Sequence, residues 1–229
     1  MTEERGSAID PSWKGVIRWG GLCLLAAGAL LVVFVLSVLI LQQTLPLPPK
    51  EVLENPVPPT ILFLIAALGE LLLMPGVMGL YFCLRYVKKT PMFIATGLWL
   101  AAVPLFLVSR GLIISLSQIS GRYMDSTNET MRAAYLASAE LAIETQNIYA
   151  MMALILLCVA SIMIGLVMLK GVFGRRIGCL VIAAGILTLF SPFGVILKVP
   201  LIIPFIGLVL TAVWQIVVGA KLYRLGKEV

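Results

Sequence analysis

Long apolar runs alternate with short polar connections along almost the whole of this chain. The runs cover residues 19–41, 60–83, 92–116, 148–169, 177–197 and 201–220. Each holds about the 20 apolar residues that a helix, rising about 1.5 Å per residue, needs to cross a hydrocarbon layer roughly 30 Å thick. The pattern predicts an all-α fold: a polytopic integral membrane bundle of six transmembrane helices. One body spans 17–223, after a polar lead at 1–16 and before a short tail at 224–229.

The connections differ in character. The stretch 42–59 carries Pro46, Pro48, Pro49, Pro56, Pro58 and Pro59, a composition that favours extended, polyproline-like backbone. In 118–147, Asp125-Ser126-Thr127-Asn128 offers a helix cap, and 131–146 is rich in good helix formers. This predicts an extra helical segment running into the fourth crossing, outside the membrane or along its headgroups. Glu140 and Glu144, four residues apart, share one face of it and are candidates for an outer mouth.

Charge sets the orientation. Assigning alternate loops to alternate sides puts Arg5, Lys14, Arg18, Arg85, Lys88, Lys89, Lys170, Arg175, Arg176, Lys221, Arg224 and Lys227 on one face. Only Lys50, Arg122, Arg132 and Lys198 fall on the other. Basic loops are retained in the cytoplasm, so the amino and carboxyl termini are both expected there, in a multi-pass protein of the cell membrane. The net charge of +6 belongs to helix flanks that meet anionic headgroups, so nucleic acid is not expected as a partner. The first run exceeds the length of a secretory signal and is followed by prolines rather than a small-residue cleavage pattern, as expected of a retained helix.

Composition then narrows the chemistry. Hydrophobic residues make up 61% of the chain and charged residues 12%, and there is no histidine. Without histidine the usual zinc ligand and general base are missing. Cys23, Cys83, Cys158 and Cys179 show no paired spacing and all fall inside crossings, so neither a thiolate metal site nor a disulfide framework is expected. No cofactor is implied, and the chain reads as non-enzymatic.

Two ionisable residues interrupt the apolar runs, Glu70 and Arg110. A charge in hydrocarbon costs at least about 2.5–3.5 kcal/mol, so each needs a partner or a watery cavity. Their depths allow a meeting between the second and third crossings, either as a structural ion pair or as a ligand or ion site. Pro75, Pro104, Pro192 and Pro204 lie within crossings or at their edges, where kinks are ordinary and broken helices can line substrate sites.

Gly21-Leu22-Cys23-Leu24-Leu25-Ala26-Ala27-Gly28 in the first run parallels Gly178-Cys179-Leu180-Val181-Ile182-Ala183-Ala184-Gly185 in the fifth, with a looser Gly97…Ala101-Ala102 in the third. Small residues recur wherever membrane helices pack closely, which accounts for the likeness; repeated helical hairpins are the alternative.

Trp19-Gly20-Gly21-Leu22, Met74-Pro75-Gly76 with Leu80-Tyr81, and Gly174-Arg175-Arg176-Ile177-Gly178 together resemble small prokaryotic six-helix integral membrane proteins carrying a domain of unknown function. The resemblance implies a prokaryotic membrane protein and supplies no catalytic residues. The leading expectation is a bundle that binds a lipid, a small molecule or a partner membrane subunit, or a second copy of itself. The alternatives are a small transporter using Glu70 and Arg110, and, further off, a histidine-independent lipid-modifying enzyme.

Overall fold

The computed structural model describes residues 11–40, 48–197, 200 and 202–228, with the side chains of 11 and 192–197 set aside. Lys198, Pro46 and the first ten residues of the polar lead lie outside the described residues. Among these residues a short 3-10 turn, Pro11–Trp13, leads into α1 (Lys14–Ile40), followed by α2 (Pro49–Glu54), α3 (Val57–Leu84), α4 (Lys89–Asp125), α5 (Glu129–Met168), α6 (Arg175–Leu197) and α7 (Ile202–Glu228). The chain is all-α, and α1, α3, α4, α5 and α7 are long and apolar enough to cross a membrane.

The six long helices close into a ring. Each of α3, α4, α5, α6 and α7 packs on the long helix before it, and α7 returns to α1. Neighbours run antiparallel: Gly20 of α1 faces Gly79 of α3 while Leu30 faces Gly69, and Gly21 faces Gly219 of α7 while Gly28 faces Ala212. An even number of helices lets every contact in the ring be antiparallel. One end of the ring carries the start of α1, the end of α7 and the turns at 85–88 and 169–174; the other carries α2 and the turn at 126–128. We call these the termini end and the hairpin end.

Glycines set the closest approaches. A Cβ on Gly21 would lie 2.5 Å from the backbone nitrogen of Tyr223, and one on Gly207 2.5 Å from that of Thr188. Backbones can come this near only where no side chain intervenes. At the turn into α6, Gly174 adopts φ 83°, the left-handed conformation that glycine enters without steric cost. Lys221 steadies this turn by donating to the Phe173 carbonyl at 3.2 Å.

The proline-rich stretch differs from the sequence expectation. The prolines at 48–59 start helices instead of holding the backbone extended: Pro49 opens α2, and Pro58 and Pro59 sit in the first turn of α3. Proline is tolerated there because the first-turn N–H groups have no intrahelical partner to lose. The segment 118–147 has the expected cap, followed by a helix that runs on without a break to Met168. α4 continues through Asp125, and α5 starts at Glu129 under an Asn128 cap whose side chain accepts from the backbone of Thr130 at 2.9 Å and Met131 at 3.4 Å. The two helices thus extend side by side as a hairpin. At the other end of the chain, α7 runs on through Glu228, so 224–228 is helix rather than tail.

Two apolar cores result. The larger occupies the bundle from the termini end inward, around Leu80, Leu84, Met92, Trp99, Val218 and Leu222, all fully buried. The smaller lies at the hairpin end, where Val52 and Leu53 of α2 pack among Phe63, Ile113, Leu116 and Tyr123. Ser120 of α4 donates to the Leu53 carbonyl and pins α2 in place.

Candidate functional site

Glu70 and Arg110 meet. Arg110 donates to a single carboxylate oxygen of Glu70, Oε1, from Nε at 3.0 Å and from Nη2 at 2.8 Å. Both side chains are nearly buried, with 11% of Glu70 and 14% of Arg110 exposed. The guanidinium also lies over the rings of Phe63 and Phe106, 5.2 and 5.4 Å from their centroids. Phe106 precedes Arg110 by four residues and so shares its helix face, while Phe63 comes from the same helix as Glu70. The aromatic faces favour the cation and hold it toward the acid.

The other oxygen, Glu70 Oε2, is buried and has no hydrogen-bond partner among the described residues. An ionised group with an unmet acceptor costs about 1–3 kcal/mol or more, so this atom marks a place where the fold leaves binding capacity unused.

Beside the pair is a cavity of ≈ 140 Å³. All six long helices contribute to its wall: Phe34 from α1, Glu70 from α3, Arg110 from α4, Leu157 from α5, Thr188 from α6 and Gln215 from α7. The rest of the lining is largely aliphatic. Glu70 and Gln215 stand at one level, since Gly69 faces Ala27 of α1 and Gln215 faces Gly28. Thr188 and Thr211 sit 3.4 Å apart across the α6–α7 contact, and Thr211 also donates to Gly207. Gln215 is buried and lines the cavity.

Trp99 and Trp214 pair in the bundle interior without lining the cavity. Their rings meet edge to face, with centroids 5.6 Å apart, and both are fully buried. The lining residues of α1 and α7 fall in the halves of those helices nearer the hairpin end, and the larger apolar core occupies the bundle toward the termini end.

Glu140 and Glu144 do not join this site. Both are exposed on α5, on the side away from buried Ile143 and Gln146. The charge pair stood out in the sequence because ionisable residues are rare in apolar runs. The uncharged polar groups did not: Gln146 donating to Ser109 at 3.1 Å beside Arg110, and Thr188, Thr211 and Gln215 in the wall, are all buried. Their signal was a polar side chain inside a predicted crossing, weaker than a charge because membrane helices tolerate such groups.

All four cysteines are free, and among the described residues no cluster of three or more His, Cys, Asp or Glu side chains is placed to hold a metal. Comparison with protein families, with curated proteins and with solved structures finds no match for this chain.

Proposed function

We propose that this chain is a multi-pass membrane protein whose six long helices all cross the bilayer and whose role is to bind a small amphiphile in the cavity beside Glu70 and Arg110. Five helices qualify by length and apolarity. α6, 23 residues long and held between α5 and α7, supplies the sixth crossing that the antiparallel ring requires. The basic residues gather at the termini end, which therefore faces the cytoplasm, and the cavity lies in the half nearer the outer side.

The observation that carries the binding reading is the combination in one place of an apolar cavity of ≈ 140 Å³ and a nearly buried ion pair with an unmet acceptor. Ligand sites are mostly apolar concavities with a few convergent polar groups. A pair needed only to hold two helices together gains nothing from an adjoining void, which forfeits dispersion contacts.

Filling the cavity tests this. Ala66→Phe places a ring in the lining of α3, one turn before Glu70, and leaves both members of the pair in the chain. Lipid extracted from the purified wild-type protein is expected to contain a bound amphiphile in near-stoichiometric amount, and adding it back at a hundred times its Kd should stabilise the protein by about 2.7 kcal/mol. Ala66→Phe should lose both effects. Equal retention by the two proteins would remove the cavity as the site.

Transport is a second reading, favoured by Pro75 and Pro104. They interrupt α3 and α4, the two helices that carry the pair, and interior prolines weaken the helix where they sit. Conduction would require the buried Trp99–Trp214 pair to part. Uptake into vesicles that is abolished by Glu70→Gln would favour transport over simple binding.

A further inference from the structure

Granted that the cavity is a ligand site, as proposed above, we infer that it selects an uncharged, hydroxyl-headed, single-chain amphiphile, with the hydroxyl donating to Glu70 and accepting from Gln215.

Charge balance gives the first reason. Glu70 and Arg110 already cancel, and they lie nearly buried among apolar side chains. A carboxylate or phosphate head would add an uncompensated negative charge next to a carboxylate, and an ammonium head would leave a net positive one. Either carries the desolvation penalty of an unpaired buried ion. A neutral head adds none.

The polar groups of the lining give the second. Oε2 of Glu70 can only accept. Gln215, at the same level on α7, lines the cavity with a side-chain amide that can donate. A hydroxyl is the smallest group that donates to one and accepts from the other. The terminal torsion of a glutamate is broad, so the carboxylate can turn toward the cavity, its two oxygens moving together against Arg110.

Size gives the third. An engineered apolar cavity of about 150 Å³ takes a molecule as large as benzene. A cavity of ≈ 140 Å³ accepts a hydroxyl and the first few methylenes of one chain, with Phe34, Leu31 and Leu208 as the apolar wall. Two chains or a bulky headgroup exceed it.

The test uses the full chain in phospholipid nanodiscs, with empty nanodiscs subtracted, and radiolabelled 1-octanol, octane, octylammonium and octanoate as probes. 1-Octanol is expected to bind about tenfold more tightly than each of the other three, the factor that one or two neutral hydrogen bonds supply. The paired variant Glu70→Leu/Arg110→Met removes the polar groups while leaving no buried charge unpaired. It should bind octane as the wild type does and lose the preference for 1-octanol; Gln215→Leu should lose part of it. Equal binding of octane and 1-octanol by the wild type, or tighter binding of octanoate or octylammonium, overturns the hydroxyl inference and leaves the cavity a ligand site. Failure of all four probes, together with unchanged lipid content in Ala66→Phe, overturns the binding proposal itself.

Discussion

Glu70 and Arg110 show how a single residue is worth different amounts depending on what is left behind when it is removed. With Arg110 replaced by methionine, the Glu70 carboxylate stays nearly buried without either of its charge-assisted bonds. Breaking one partner of a buried pair costs about 3–5 kcal/mol, whereas replacing both with well-packed apolar residues is often neutral. Arg110→Met is therefore expected to lower unfolding stability in micelles by that amount, and Glu70→Leu/Arg110→Met to recover most of it. A single variant as stable as the wild type would mean that the pair contributes nothing to the fold. The position of both charges was legible in the sequence because the cost of an ion in an apolar run forces a partner. Which atoms they would share was not, since the orphaned Oε2 depends on the approach of Arg110 between Phe63 and Phe106.

At the scale of helices, the glycine pattern carries more information than its composition suggests. In the α1–α7 contact, a Cβ on Gly21 would meet the Gly219 carbonyl at 2.9 Å and one on Gly28 the Ala212 carbonyl at 3.1 Å. In the α6–α5 contact, a Cβ on Gly178 would meet the Gly165 carbonyl at 2.9 Å and one on Gly185 the Cys158 carbonyl at 3.1 Å. In both, the partner residues are seven apart and belong to the preceding helix of the ring. The likeness between the first and fifth runs is thus a likeness of interfaces and not only of small-residue content. Gly97 of the third run has nothing within 4 Å and does not share it. Gly21→Ala should consequently force two backbones apart and cost about 1–3 kcal/mol. Gly97→Ala should be neutral or stabilise by up to about 1 kcal/mol through helix propensity. Thermal unfolding of the two variants side by side decides it, and equal effects would refute the steric account. The six runs themselves were legible, because hydropathy reports length directly. The prolines of 48–59 misled because their meaning depends on whether a helix starts beside them, whereas the break before α5 was legible because Asn128 is a cap residue with good helix formers after it.

Two helices run far beyond the thickness of a bilayer. α4 has 37 residues and α5 has 40, about 55 and 60 Å of helix against roughly 30 Å of hydrocarbon. Tilt absorbs a little of this excess; the rest projects as the hairpin buttressed by α2. Charge then decides the direction of projection. Asp125, Glu129, Glu140 and Glu144 lie on the hairpin with only Arg122 and Arg132 for balance, while the loops at 85–89 and 170–176 at the opposite end are basic and carry no acidic residue. The orientation proposed above, with the basic loops in the cytoplasm, puts the hairpin on the outer side. In a protein whose native cysteines are replaced by serine, Ser126→Cys is expected to react with a membrane-impermeant maleimide on intact cells. Val172→Cys should react only after the membrane is opened. The reverse pattern would turn the molecule over, putting the basic loops outside and the Glu70–Arg110 cavity in the cytoplasmic half, where a different pool of amphiphiles would reach it.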